Sequence, residues 1–146
     1  MTRISILTVL ACLILLSSLV LIPFANADWT MFHADPSHSG AGTGNPTLSP
    51  TLLWKYNTGN WVYSSPAVVG GVVYVGSEDG SVYALNAANG EYIWKFTTGG
   101  SVDSCPAVVN GVVYIGSWDG SVYALDATNG AQLWNFTTGS AIHSSP

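Results

Sequence analysis

Eight carboxylates, three histidines and two cysteines are the side chains in this 146-residue sequence with the chemistry to hold a metal, move a proton or attack a carbonyl. A calcium site would draw on Glu78, Asp79, Asp119 and Asp126, and such sites are usually built on a loop of the Asp-x-Asp-x-Asp-Gly kind. No such loop occurs, and Asp79 and Asp119 each stand directly before a glycine, which is the composition of a tight turn. His33 and His38 are five residues apart in an irregular stretch, and no second ligand pair recurs at metal spacing. Cys105 stands where two related segments carry Ser65 and Ser145, so it reads as a small buried filler and not as a nucleophile. The expectation is a chain with no catalytic residue, no metal site and no evident cofactor in the visible sequence.

Six tryptophans remain, and they could form a stacking platform for a sugar or a quinone ring. Trp54, Trp94 and Trp134 recur at a step of forty and are expected to be structural. Trp61 and Trp118 do not recur, since Ser101 and Glu78 occupy their equivalent positions, so these two are the candidates for surface or ligand contact.

Charge narrows the partners. The formal charge is −5, and 8% of residues are charged, against about a quarter in ordinary globular domains. Three Lys plus Arg cannot track a phosphate backbone, so nucleic-acid binding is excluded. A hydrophobic content of 48% excludes an intrinsically disordered chain.

Residues 1–27 read as a signal peptide. Arg3 precedes an apolar run from Ile4 to Ile22, Pro23 ends it, and Ala25-Asn26-Ala27 offers a small-x-small cleavage site. The alternative is an uncleaved anchor, the one route by which this chain would touch a membrane. Cys12 follows Val9-Leu10-Ala11, but the apolar stretch before it is too short for a lipobox. Cleavage removes Arg3 and Cys12, which leaves two lysines against eight carboxylates, a charge of −6, and Cys105 as the one thiol. An acidic extracytoplasmic module, secreted to a cell surface or periplasm, is expected. Residues 28–50 are punctuated by Pro36, Pro46, Pro50, Gly40, Gly42 and Gly44, and read as a lead-in arm.

The elements that must position these side chains follow from a repeat. Ser64-Ser65-Pro66-Ala67-Val68-Val69 returns as Ser104-Cys105-Pro106-Ala107-Val108-Val109, and Ser144-Ser145-Pro146 begins it again. Aligning 61–100 with 101–140 without a gap leaves 13 differences and 27 identities. Gly70-Gly71, Asp79-Gly80 and Asn89-Gly90 are two-residue hairpin turns, with a fourth break at Gly99-Gly100. Between them lie Pro66–Val69, Val72–Ser77, Ser81–Asn86 and Glu91–Thr97, rich in β-branched and aromatic residues. The second repeat predicts the same four strands, with turns at Asn110-Gly111, Asp119-Gly120 and Asn129-Gly130. The unbroken Val72-Val73-Tyr74-Val75 run predicts sheets covered on both faces. Asn135-Phe136-Thr137 forms a glycosylation sequon inside a predicted strand, where the first repeat has Lys95-Phe96-Thr97, and it carries little weight.

Four-stranded antiparallel sheets at a forty-residue period predict an all-β fold, a β-propeller. The recurring motif is Ala-x-[Asn/Asp]-x-x-Asn-Gly-x-x-x-Trp. It runs through Ala84, Asn86 and Gly90 to Trp94, and through Ala124, Asp126 and Gly130 to Trp134. This resembles the tryptophan-docking motif of the quinoprotein-like, or pyrroloquinoline-quinone (PQQ) repeat, propellers. The stretch from Trp29 to Gly40 looks like the segment that often precedes the first blade in that family. The resemblance implies that Trp54, Trp94 and Trp134 pack between adjacent blades, with Ala84, Asn86, Gly90, Ala124, Asp126 and Gly130 completing the docking.

The propeller within 51–146 is incomplete by this reading: two full blades, 61–99 and 101–139, and the start of a third at 140–146. Residues 52–59 align with the outermost strand of a blade, so a missing C-terminal chain is expected to close the ring with the remaining blades. With blade-forming residues dominant and no catalytic constellation visible, the leading expectation is a non-catalytic extracytoplasmic scaffold that binds proteins or cell-surface polymers, similar to the scaffold branch of that family. One alternative is the N-terminal part of a PQQ- and calcium-dependent alcohol or sugar dehydrogenase, and another is a repeat module of a larger cell-surface protein.

Overall fold

The computed structural model describes residues 52–146. The signal segment 1–27 and the lead-in arm 28–50 lie outside the described residues. Eight strands form two separate sheets, and among the described residues there is no helix. The first sheet contains β1 (Ala67–Val69), β2 (Val72–Ser77), β3 (Ser81–Asn86) and β4 (Tyr92–Thr97). The second contains β5 (Ala107–Val109), β6 (Val112–Gly116), β7 (Ser121–Asp126) and β8 (Gln132–Thr137). Each is an antiparallel meander in sequence order.

Local chemistry sets these boundaries. Gly70 and Gly71 both take positive φ, 57° and 78°, and Asn110 and Gly111 repeat this at 51° and 76°. Two positive φ angles in succession give a primed turn, whose twist suits a tight hairpin. Registers match between sheets: Tyr74 faces Ala84 as Tyr114 faces Ala124, and Ala84 faces Trp94 as Ala124 faces Trp134. The register slips between Ala84 and Leu85, and again between Ala124 and Leu125. A slip of this kind bends and twists the strand locally. Pro66 and Glu91 stay outside the strands they were expected to begin, and β6 ends one residue before the equivalent of Ser77.

One core spans both sheets. Tyr74, Val82, Ala84 and Trp94 of the first pack with Val108, Val113, Ile115 and Leu125 of the second. Val102, fully buried between the sheets, sits where a Cβ on Gly76 would come within 2.5 Å of it. Burying a valine of this kind contributes about 2 kcal/mol.

Residues 52–58 carry no strand pairing, and the three inner strands that a closing strand would join do not lie among the described residues. One expectation is corrected: the sheets are not covered on both faces throughout. β2 and β3 are largely buried, but β4 alternates and β8 is exposed at all six positions. The outer strand of each sheet meets solvent, and β8 has no neighbouring sheet against it among the described residues.

Candidate functional site

The junction between sheets is built by the recurring residues. Trp94 of β4 donates from Nε1 to the Ala127 carbonyl of the second sheet at 2.9 Å. Its ring lies over Gly130, where a Cβ would come within 2.6 Å. Trp54 repeats both contacts one step earlier, donating to the Ala87 carbonyl at 2.9 Å and covering Gly90. Pairing of 52–58 into a sheet is not needed for this. Trp134 has no equivalent partner among the described residues and is 48% exposed, against 5% for Trp94. Ala84 and Ala124, both fully buried, lie directly opposite Trp94 and Trp134. Asn86 and Asp126 shape the loop that receives the indole: Asn86 Oδ1 accepts from Ala88 N–H at 2.8 Å and Asp126 Oδ1 from Thr128 N–H at 2.7 Å.

The acidic residues of the turns are fully engaged. Asp79 accepts Gly59 N–H and Tyr83 O–H through Oδ2, and Ser81 N–H through Oδ1. Asp119 does the same with Gly99, Tyr123 and Ser121. Burial acts to raise both carboxyl pKa values, but the hydrogen bonds from Tyr83 or Tyr123 and from the backbone outweigh it and hold them below the usual carboxylate value. Burial, then the bond to Asp79, pushes Tyr83 up to about 12, and the same causes raise Tyr123. This clamp joins each β2–β3 type turn to the chain segment entering from the preceding repeat. The signal for it was present as Asp and Tyr four apart in both repeats, and turn chemistry alone did not find it.

Hydroxyls complete the junctions. Ser104 Oγ accepts Gly116 N–H at 2.8 Å and donates to the Gly116 carbonyl at 3.0 Å. Cys105 corrects its reading as a buried filler: it is half-buried, and its Sγ accepts Ser65 N–H at 3.2 Å. Cys105 N–H in turn donates to Ser145 Oγ at 2.9 Å. Position 65/105/145 is thus a bridge between successive repeats.

One face carries non-recurring aromatic side chains. There the β2–β3 and β6–β7 turns meet the segments that enter each sheet, through Glu78 N–H to the Trp61 carbonyl, Val102 N–H to Ser77, Trp118 N–H to Ser101 and Ile142 N–H to Ser117. Trp61 is 68% exposed, with its ring edge-on to Tyr63 at 5.9 Å. Trp118 is 42% exposed and its ring meets that of His143 at 4.6 Å. Trp61 and Trp118 therefore share a face, and the structure adds Tyr63, Glu78, Asp103 and His143 to it. The signal for these four was their failure to recur: position 63 holds Tyr, Asp and His in turn. The opposite face is formed by the β1–β2 turn and the β3–β4 loop, joined by Ala87 N–H to the Gly71 carbonyl.

Among the described residues no three His, Cys, Asp or Glu side chains come together as metal ligands would. A cleft of about 380 Å³ opens between the sheets on the opposite face, lined by Val69, Val72, Tyr74, Ile93, Val108 and Ala127 among others, and it contains no charged side chain. The described residues thus offer two exposed surfaces for binding, the rim and this cleft.

Comparison with known proteins identifies the architecture. The sequence profile of a family described as outer membrane protein assembly factor BamB matches residues 47–145. Among solved structures, BamB from Moraxella catarrhalis is similar at 23% identity and a TM-score of 0.56, over 60% of this chain and 27% of that one. A quinohemoprotein alcohol dehydrogenase from Comamonas testosteroni is similar at 26% identity and a TM-score of 0.66, over 77% of this chain and 19% of that one. Another from Pseudomonas putida HK5 is similar at 27% identity with the same TM-score and coverage. The chain thus spans about a quarter or less of the length of these structures. No curated protein matches it. The two sheets are β-propeller blades of the PQQ-like type, and the propeller is incomplete.

Proposed function

Because the chain belongs to the outer membrane protein assembly factor BamB family of PQQ-like β-propellers, we propose that it is a non-catalytic, extracytoplasmic scaffold that binds other proteins or cell-surface polymers. One observation carries this reading. The polar side chains that recur from blade to blade are engaged within the fold, as Asp79 and Asp119 are by three donors each, one of them from the preceding repeat. A set of exposed aromatic and half-buried acidic groups stands on a rigid rim, suited to contact. The name of the family supports protein partners, and the leader-like residues 1–27 support an extracytoplasmic location.

A second reading follows from the two quinohemoprotein dehydrogenases, which at 26% and 27% identity resemble 77% of the chain. It makes these blades part of a dehydrogenase whose quinone and calcium sit elsewhere. The described residues do not fit that group: no cluster of three ligands forms, and the recurring aspartates are occupied.

The test is the absorption spectrum of the purified native protein, combined with dye reduction by alcohols after addition of PQQ and calcium. A scaffold has no quinone band and reduces no dye. A bound quinone, or alcohol-dependent reduction, would overturn the proposal in favour of the second reading.

A further inference from the structure

The 13 positions that differ between the two blades are not equivalent in kind. On the outer strand and the opposite face some swaps are modest, such as Ile93 for Leu133 and Ala88 for Thr128, while Glu91 for Ala131, Tyr92 for Gln132 and Lys95 for Asn135 change chemistry at exposed positions that meet no neighbouring blade. On the rim where the incoming segments meet the β2–β3 type turns, three swaps change chemistry outright: Trp61 for Ser101, Tyr63 for Asp103, and Glu78 for Trp118. The backbone beneath them is the same at both junctions, since Val102 N–H bonds the Ser77 carbonyl as Ile142 N–H bonds that of Ser117, both at 3.1 Å.

That equivalence sets two acidic groups on the rim. Trp118 and His143 touch at 4.6 Å between ring centres. At the junction one step earlier the same two positions are Glu78 and Asp103, so two carboxylates occupy the equivalent rim positions. Like charges at such positions repel. Among the described residues the Glu78 carboxylate makes no hydrogen bond or ion pair. Asp103 Oδ1 is shielded from water and has no donor. The two cations among the described residues do not relieve this. Lys95 sits on the outer strand over the Tyr83 ring at 5.8 Å, and Lys55 lies in the exposed 52–58 segment.

We propose that this rim binds a basic segment of another protein, with Lys or Arg side chains seated on the Glu78–Asp103 junction and their stems and cationic heads against the indoles of Trp61 and Trp118. The proposal rests on the scaffold reading and names its partner. Charge complementarity supports it: the described residues hold two lysines against Glu78, Asp79, Glu91, Asp103, Asp119 and Asp126, a balance of −4. The flanking aromatics select the kind of cation. A metal ion has no use for exposed indoles and finds no third ligand here, whereas a guanidinium or an ammonium stem gains from an aromatic face. A neutral polysaccharide would stack on the same tryptophans but leave both carboxylates uncompensated.

The experiment titrates the full-length protein with a fluorescein-labelled (Lys-Ala)5 peptide at low and moderate salt, with a neutral glucan hexasaccharide as the competing probe. Glu78→Gln is expected to weaken peptide binding by roughly two- to fivefold, and the double variant with Asp103→Asn by about tenfold. Trp118→Ala is expected to weaken it by roughly two- to fivefold as a cation–π contact is lost. Glu91→Gln removes the same charge from the opposite face and is the matched control, expected to change binding by less than about twofold. The unfolding midpoints of the Glu78 and Asp103 variants, expected unchanged or raised because an unrelieved charge is removed, show that weakened binding is not unfolding. Equal weakening by Glu91→Gln and Glu78→Gln would overturn the proposal, since the peptide would then read net charge and not this rim. Binding of the hexasaccharide in place of the peptide would also overturn it while leaving the scaffold reading intact. A quinone band in the same sample would remove the scaffold reading itself.

Discussion

Gly130→Ala tests the blade junction most directly, because the structure supplies its own control in Gly111. The two glycines have nearly the same φ, 74° and 76°. An L-residue at such an angle costs about 1–2 kcal/mol, partly offset by about 0.4–1 kcal/mol from a stiffer unfolded chain. That net cost of about 1 kcal/mol is common to both substitutions. They differ in what the new methyl group meets. At Gly111 nothing lies within 4 Å, whereas at Gly130 the Cβ would stand 2.6 Å from the Trp94 ring. Real contacts are never that short, so the indole must move. Moving it forfeits the bond from Nε1 to the Ala127 carbonyl, about 0.5–1.5 kcal/mol. It also forfeits part of the burial of a side chain whose complete truncation costs about 3–5 kcal/mol. Gly130→Ala is therefore expected to destabilise by about 3–4 kcal/mol and Gly111→Ala by about 1 kcal/mol. Urea unfolding of the full-length protein, followed by tryptophan fluorescence, measures both. Losses that agree within about 0.5 kcal/mol would refute the argument, because the indole-on-glycine contact would then contribute nothing beyond its turn.

The Asp–Tyr clamps predict the shape of the stability–pH profile. Asp79 and Asp119 have carboxyls depressed in the folded state, so their contribution is present above the ordinary carboxylate pKa and is lost as pH falls through the lower folded value. Tyr83 is raised to about 12, so its contribution is complete below the ordinary tyrosine pKa and is lost as pH rises toward that value. Thermal midpoints recorded across pH should show both limbs, and Tyr83→Phe should flatten the alkaline one; an unchanged alkaline limb would contradict the assignment. Ser104→Ala leaves the buried Gly116 N–H without its acceptor and is expected to cost about 1–3 kcal/mol, read from the urea midpoint. Trp134→Ala is expected to cost less than Trp94→Ala in the 146-residue chain, roughly half, since Trp134 is 48% exposed and Trp94 5%. With a further blade docked against β8 the two costs should converge, and equal costs in the 146-residue chain would contradict the exposure.

Nearly all of the strand pattern was legible because it rests on local chemistry repeated twice. The two-residue turns and the β-branched runs place all sixteen strand starts and ends within one residue of the structure, and the forty-residue step of Trp54, Trp94 and Trp134 marks the docking positions. What was not legible depends on partners distant in the chain. Residues 52–59 have the composition of an outer strand, but composition cannot supply the neighbouring strand that would pair with it. Cys105 looked like a buried filler because its homologous positions are serines, and its role as acceptor for Ser65 N–H lies across a blade junction that no local pattern encodes. The rim was half legible. Trp61 and Trp118 stood out as large residues that fail to recur, but Glu78 and Asp103 looked like a turn residue and an unremarkable acid until the Trp118–His143 contact showed that these positions meet.

The division between recurring and non-recurring residues has a physical cause that connects the fold to its use. A junction side chain such as Trp94 must satisfy two blades at once, and the step from blade to blade is the same each time, so one solution serves every junction. Asp119 and Gly130 are held to their types by the same constraint, each by a backbone group or ring from the neighbouring repeat, and Ser104 by the Gly116 backbone of its own blade. A rim residue such as Glu78 is anchored only through its backbone, by its N–H to the Trp61 carbonyl and by its carbonyl accepting from Ser101 Oγ, so its side-chain type is free to differ at each step. One invariant scaffold can then carry an acidic junction at Glu78 and Asp103 beside an aromatic one at Trp118 and His143, at a fixed spacing set by the blades. A partner that reads two such junctions in series recognises their order as well as their chemistry. Exchanging Glu78 with Trp118 in a single double variant keeps composition and net charge constant while reversing that order. Weakened binding of the basic peptide by this exchange, with the unfolding midpoint unchanged, would show that the order of junctions carries specificity; unchanged binding would show that the rim presents chemistry without order.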